Sequence, residues 1–248
     1  MEERCCPTEA GASSEPYAPL GTLRALTADA ALLCYVTGGP LGERAILAVP
    51  DIFGLAVPAS LRALDELAAA SGLPVVAPDY FRGQPWRLED FPPRPGQSVV
   101  EWLGRTVPAE AVRRDTEAVL GALLRESGTR RVGAVGFCWG GGAALAAAAA
   151  GLLRCAAAAH PSFVGPAEAR AAAAAGPLCL LPSRDEDAAQ WEQIAAALAG
   201  RPGCLVRRFP EAPHGWCAAR ADFVPGSPGL RDLREALRVL ATFFQEHV

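Results

Sequence analysis

The chain contains no lysine: all 23 of its basic residues are arginine, set against 27 acidic ones, for a formal net charge of −4. A nucleic-acid binder normally carries a basic surplus, so that class is set aside. The missing lysine, together with the alanine runs, reads as coding bias and carries no functional meaning of its own. Among the eight cysteines there is no Cys-x-x-Cys pair, which argues against a redox motif and a small disulfide framework and for buried, reduced thiols. The three histidines, His160, His214 and His247, are too widely spread to show metal-ligand spacing. Gly140-Gly141-Gly142 follows a cysteine and lacks the lysine of a phosphate loop. Neither a metal nor a cofactor is expected.

Long hydrophobic runs are missing too. The longest apolar stretch, 140–160, is mostly alanine and glycine and is interrupted by Arg154, too weak for a membrane span. Residues 1–17 carry Glu2, Glu3, Glu9 and Glu15 against the single Arg4, unlike a secretory or transit segment. The expectation is a cytoplasmic protein with no membrane or nucleic-acid partner; its oligomeric state does not follow from the sequence.

What is present suits one α/β domain. The 248 residues are 51% hydrophobic, and a domain near that size buries roughly 70–75% of the surface its unfolded chain exposes. We expect a flexible tail over 1–17 and a single domain over 18–248. Short apolar runs at 31–36, 45–49, 74–77, 132–135, 155–159, 178–181 and 204–209 read as strands, several without alternation, as strands covered on both faces should be. Helical spacing appears over 58–70, 108–126, 183–200 and 226–248. The alternation predicts βαβ units around a mostly parallel sheet with helices on both faces. The proline-rich stretch 83–96, with Trp86 and Phe91, reads as a long loop over the sheet, of the kind that often forms a lid.

One segment carries chemistry. A short apolar strand runs into Gly136-Phe137-Cys138-Trp139-Gly140, and an alanine-rich helix follows. This is the strand, sharp turn and helix context of the G-x-S-x-G nucleophile elbow, with cysteine in place of serine. Such a turn strains its central residue, and glycines two places to either side let strand and helix pass. It also puts Cys138 at a helix N-terminus, which favours a thiolate, with the Trp139 N–H directed at a developing oxyanion. The pattern is short, and a small core thiol beside helix-packing glycines would also produce it.

A thiol nucleophile needs a base. His247 is penultimate on a terminal helix, and His160 ends the strand after the elbow helix, where a packing or capping role suits it better. His214 lies in a turn-forming loop between the last strand and the last helix, where an α/β hydrolase places its histidine. The acid belongs between nucleophile and histidine. The run Arg184-Asp185-Glu186-Asp187 follows a strand; we assign Asp185, with helix capping as the competing role for it and for Asp187. The order Cys138, Asp185, His214 is that of α/β hydrolases.

With these residues in hand, the chain resembles the dienelactone hydrolase (carboxymethylenebutenolidase) family, especially its eukaryotic members, from about Ala45 onward. The resemblance rests on Pro50-Asp51-Ile52-Phe53-Gly54, Ala77-Pro78-Asp79-Tyr80, Gly136-Phe137-Cys138-Trp139, His160-Pro161-Ser162 and His214-Gly215-Trp216, and the paired Cys5-Cys6 is similar to eukaryotic members. It implies an α/β-hydrolase fold and a Cys138–His214–Asp185 triad working through a thioester. It further implies that Asp51 engages the resting thiol, where the family commonly has glutamate, and that the Ile52 and Trp139 N–H groups form the oxyanion hole. Arg82 and Arg220 are the nearest equivalents of the bacterial carboxylate-binding arginines but do not keep their spacing; Tyr80, Phe53, Trp139 and Trp216 would line an apolar pocket. The expectation is a hydrolase of small esters or lactones. A non-hydrolytic binding or redox-sensing protein on the same fold, or an acyltransferase, are the alternatives.

Overall fold

The computed structural model describes residues 17–248, so the expected tail, with Cys5 and Cys6, lies outside the described residues except for Tyr17. Eight strands, β1 (Thr22–Ala25), β2 (Leu33–Thr37), β3 (Arg44–Val49), β4 (Val75–Pro78), β5 (Arg131–Phe137), β6 (Cys155–Ala159), β7 (Leu178–Leu181) and β8 (Cys204–Val206), form one sheet in the order β1-β2-β4-β3-β5-β6-β7-β8. β2 pairs antiparallel with β1 and β4, and all pairs from β4 onward are parallel. Seven helices accompany it: α1 (Pro58–Ser71), α2 (Val99–Thr106), α3 (Ala109–Ser127), α4 (Trp139–Ala149), α5 (Pro166–Ala175), α6 (Ala188–Leu198) and α7 (Pro228–His247).

Two apolar clusters lie on opposite faces of the sheet. Alternate residues of β3 divide between them: Leu47 and Val49 face one, Ile46 and Ala48 the other. Because both faces are covered, the central strands are buried along nearly their whole length, as parallel sheets require. Helix α7 begins with Ser227 accepting the Leu230 N–H at 3.0 Å and with proline in its first turn. It buries Leu230, Leu233, Leu237, Leu240 and Phe244 as their spacing predicts.

Three elements escaped the sequence. β1 is a fully exposed edge strand with no apolar pattern, and α2 and α5 are short, with one and two buried residues. The 83–96 loop, with a short 3-10 turn at Leu88–Asp90, is anchored by Trp86, whose ring packs edge-on against Trp102 of α2 at 5.3 Å. Buried Asp65 on α1 accepts from the Tyr17 and Tyr35 hydroxyls, each at 2.7 Å, and from the Leu20 N–H at 3.0 Å. Tyr17 is thereby anchored to α1. No helix among the described residues is long and apolar enough to cross a membrane.

Candidate active site

The C-terminal ends of β3, β5, β6, β7 and β8 lie side by side, and each feeds a loop into one region. β5 ends in the elbow. Cys138 has φ 56° and ψ −123°, a conformation that costs a non-glycine residue roughly 1–3 kcal/mol and persists only when its surroundings enforce it. The glycines show how. A Cβ on Gly136 would stand 2.0 Å from the Gly140 carbonyl oxygen, and one on Gly140 would stand 2.4 Å from that of Val49. No side chain fits at either position. The same closeness sets the first turn of α4 against the end of β3, where Ile52 follows. Trp139 is the first residue of α4, so its N–H has no acceptor within the helix. Ile52 and Trp139 thus lie on the two loops that meet at the elbow.

The segment after β6 closes on Cys138 from the other side. The Cys138 N–H donates to His160 Nδ1 at 3.2 Å and to the Ala159 carbonyl at 3.4 Å, and the Ser162 N–H donates to the Cys138 carbonyl at 2.8 Å. The Cys138 sulfur lies 3.7 Å from the Ser162 hydroxyl. Ser162 was not singled out in the sequence; its place in His160-Pro161-Ser162, just past a buried strand, is the one signal that points to it.

β7 and β8 bring the acid and the histidine together. Glu186, not Asp185, meets the imidazole: its Oε1 lies 2.7 Å from His214 Nδ1, in a contact whose two side chains are 4% and 9% exposed. Its other oxygen accepts the Ser183 N–H. The expected acid, Asp185, instead accepts the His214 backbone N–H at 2.7 Å, and Asp187 caps α6 through the Gln190 N–H at 2.8 Å. Three consecutive carboxylates therefore hold three different jobs. The tight turn after β7 directs Asp185 at the histidine's backbone, and the longer glutamate stem reaches the ring. With an ionised carboxylate at Nδ1, that nitrogen carries the proton and the lone pair sits on Nε2. His160 packs edge-on against His214, ring centroids 4.9 Å apart.

Asp51 is 3% exposed, and its two oxygens accept the Phe53 N–H at 2.9 Å and the Ala219 N–H at 3.1 Å. It bridges the loop after β3 to the loop of His214, each of its oxygens held by one of the two amides. Burial pushes its carboxyl up to about 6, against the opposing pull of the two amides and of His214. Of the expected substrate groups, Arg82 is ion-paired with Asp29 and Asp115, both at 2.9 Å, so its charge is already matched by two aspartates. Arg220 donates to the His214 carbonyl at 3.0 Å. Tyr80 is 1% exposed, bonded to Thr116 at 2.9 Å and packed edge-on beneath Trp139. Trp216 is buried against Phe209 at 4.5 Å. Tyr80 belongs to the apolar cluster that also contains Cys138 and Trp139, and Trp216 to the cluster on the other face of the sheet.

The remaining described thiols sort as the sequence suggested. Cys34, Cys155, Cys179 and Cys217 are buried, and desolvation pushes each up to about 12; Cys204, half-buried, is also raised. Among the described residues no group of histidines, cysteines and carboxylates could hold a metal ion.

Comparison with known proteins is in keeping with this geometry. The model of the Dienelactone hydrolase family matches residues 33–246. Hydrolase pyvD of Aspergillus violaceofuscus is 35% identical over 149 residues, 58% of this chain and 56% of that protein. The human carboxymethylenebutenolidase homolog is 34% identical over 109 residues, 43% of this chain and 42% of its own. The chain thus matches about half the length of these relatives. A crystal structure of a dienelactone hydrolase-like promiscuous phosphotriesterase from metagenomic libraries superposes with a TM-score of 0.66 at 17% identity, over 92% of this chain and 99% of that one; at that identity the likeness is one of fold.

Proposed function

The chain belongs to the dienelactone hydrolase family, and from that premise we propose that it is a cysteine-dependent hydrolase of small esters or lactones. The observation that carries this reading is the Glu186–His214 pair, linked through His160 to a strained elbow cysteine. In the proposed cycle His214 Nε2 removes the proton of the Cys138 thiol, and the sulfur attacks the ester carbonyl. The Ile52 and Trp139 N–H groups hold the resulting oxyanion. His214, now an imidazolium stabilised by Glu186, returns the proton to the departing alkoxide, leaving a thioester on Cys138. It then deprotonates water, which attacks the thioester; the acid leaves and the thiol is restored.

In this reading Glu186 replaces Asp185 as the acid, and Asp185 and Asp51 hold loops. Pairing of Arg82 with two aspartates favours a neutral acyl group over a carboxylate-bearing one. A working thiolate needs a reducing compartment, so we place the protein in the cytoplasm. The test uses an activated aryl ester. Turnover abolished by iodoacetamide, with Cys138 labelled and a lowered rate of at least roughly 10³-fold in Cys138→Ala, is the expected result. Unchanged hydrolysis in Cys138→Ala overturns it. Binding without turnover across an ester and lactone panel would favour a binding or sensing protein, and acylated alcohols among the products would favour acyl transfer.

A further inference from the structure

We propose that His160, through Nδ1, is a positioning residue for the nucleophile: it holds the Cys138 amide in the elbow and sets its own ring as a neutral wall behind His214. The inference rests on the hydrolase reading for its catalytic meaning, though not for its geometry.

His160 is completely buried, and its Nε2 has no hydrogen-bond partner among the described residues. Buried polar atoms are nearly always bonded, and each exception asks for a reason. A leucine or phenylalanine here would remove the orphaned N–H. What neither could supply is an acceptor at the position of Nδ1, where the Cys138 N–H arrives at 3.2 Å. The alternative acceptor, the Ala159 carbonyl, is longer at 3.4 Å.

His160 is itself strained, with φ 39°, a region that non-glycine residues seldom occupy. Its N–H is pinned to the Leu181 carbonyl at 2.9 Å, so β7 fixes the residue that fixes the elbow. Two strained residues, Cys138 and His160, are therefore joined by one hydrogen bond. Two positions on, the Ser162 N–H holds the Cys138 carbonyl at 2.8 Å. The backbone on both sides of the nucleophile is thus gripped by one short segment, and small displacements of a reacting atom are costly in rate.

The hydrogen bond also settles which form of the ring does the work. To accept from an amide, Nδ1 must be unprotonated, so the proton is on Nε2 and the ring is neutral. Burial holds the imidazole well below its usual range, and the neighbouring His214 and Arg220 act in the same direction. A neutral ring packed edge-on at 4.9 Å tolerates a positive charge on His214 during the reaction; a second imidazolium there would oppose it. His160 is accordingly a support for the base, not a second base.

The test compares His160→Leu, His160→Asn and His160→Gln. Asparagine carries an oxygen near the position of Nδ1 and accepts positive φ readily; leucine has no acceptor, and glutamine carries its oxygen one bond further out. Two readouts are taken: the second-order rate of iodoacetamide labelling at Cys138, mapped by peptide mass, and kcat and KM on the aryl ester. We expect His160→Leu to lose about tenfold or more in both labelling rate and kcat, the scale of one displaced hydrogen bond, with KM within about threefold of wild type, while His160→Asn retains most of both. Wild-type rates in His160→Leu, or a His160→Asn as slow as His160→Leu, overturn the proposal. Should His160→Leu not fold, the comparison falls to His160→Asn against His160→Gln: a slower Gln variant supports the assignment and equal rates overturn it. Labelling is read on the sulfur itself, so a protein that hydrolyses no ester still gives an answer on His160, and hydrolysis unaffected by Cys138→Ala would count against the hydrolase reading alone.

Discussion

The elbow after β5 and the acidic turn after β7 stand at strand ends separated only by β6, yet they are specified in different ways. The elbow is fixed by exclusion. Gly136 and Gly140 stand where any Cβ would collide with backbone, so the pattern Gly-x-Cys-x-Gly leaves the chain one way to turn. The acid turn is fixed by choice among near equals. Asp185, Glu186 and Asp187 could each face the histidine, and which one does depends on three hydrogen bonds made across the loops. Steric rules act over a few residues and are visible in order along the chain. Hydrogen-bond assignments depend on where a second loop arrives.

The comparison can be broken from either side. The largest effect is expected from Gly140→Ala, which forces backbone apart at the end of β3; a loss of roughly 4 kcal/mol or more, read as a collapse of the urea midpoint together with all ester turnover, is the outcome, and a stable, active variant would show that the elbow is not sterically enforced. Next comes Glu186→Gln, which keeps the shape of the side chain but not the charge that orients and stabilises the imidazolium. We expect kcat to fall by roughly 10²- to 10⁴-fold with folding retained.

Asp51 is a third loop tie, and pH sharpens its case. Its carboxyl is raised in the folded protein from 3.8 to about 6. The proton therefore binds the folded state more tightly: the associated stability is fully present below about pH 4 and is lost as pH rises through 6. Relative to Asp51→Asn, which does not titrate, wild-type stability should fall by up to about 3 kcal/mol between pH 4 and 7, measured by urea unfolding at each pH. A constant difference would place Asp51 outside the buried bridge. The smallest effect belongs to Asp185→Asn. An amide oxygen can still accept the His214 N–H, so kcat should change by no more than about threefold; a loss as deep as that of Glu186→Gln would return the acid role to Asp185.

How much was legible follows the same division. The parallel strands β3 to β7 were read within a residue or two because both their faces are buried and their sequences are plainly apolar, whereas partly exposed β8 ends three residues short of its expected 204–209, and α7 was read from its stripe of leucines. Exposed β1 and shallowly buried α2 and α5 were not, since little of their sequence answers to the core. At the site, the sharp turn at Cys138 and the loop position of His214 were expected from local context. Glu186 was passed over for its neighbour because a count of residues after a strand cannot register that the glutamate stem reaches a ring where the aspartate reaches only an amide. Trp216 was expected beside Tyr80, yet the two rings lie in the clusters on opposite faces of the sheet, because aromatic residues beside a motif do not disclose on which face they lie.

The amino-acid sequence by itself determined the parallel sheet and the elbow that strains Cys138, because burial periodicity and steric exclusion act between near neighbours. The tertiary structure decided that Glu186 holds the imidazole, that Asp51 ties two loops together, that Arg82 is matched by aspartates and that His160 receives the nucleophile's amide. Each of these is a contact between elements apart in sequence, set by how the folded chain packs, to tenths of an ångström. Hydrogen bonds select partners at that scale, and no pattern along the chain carries it.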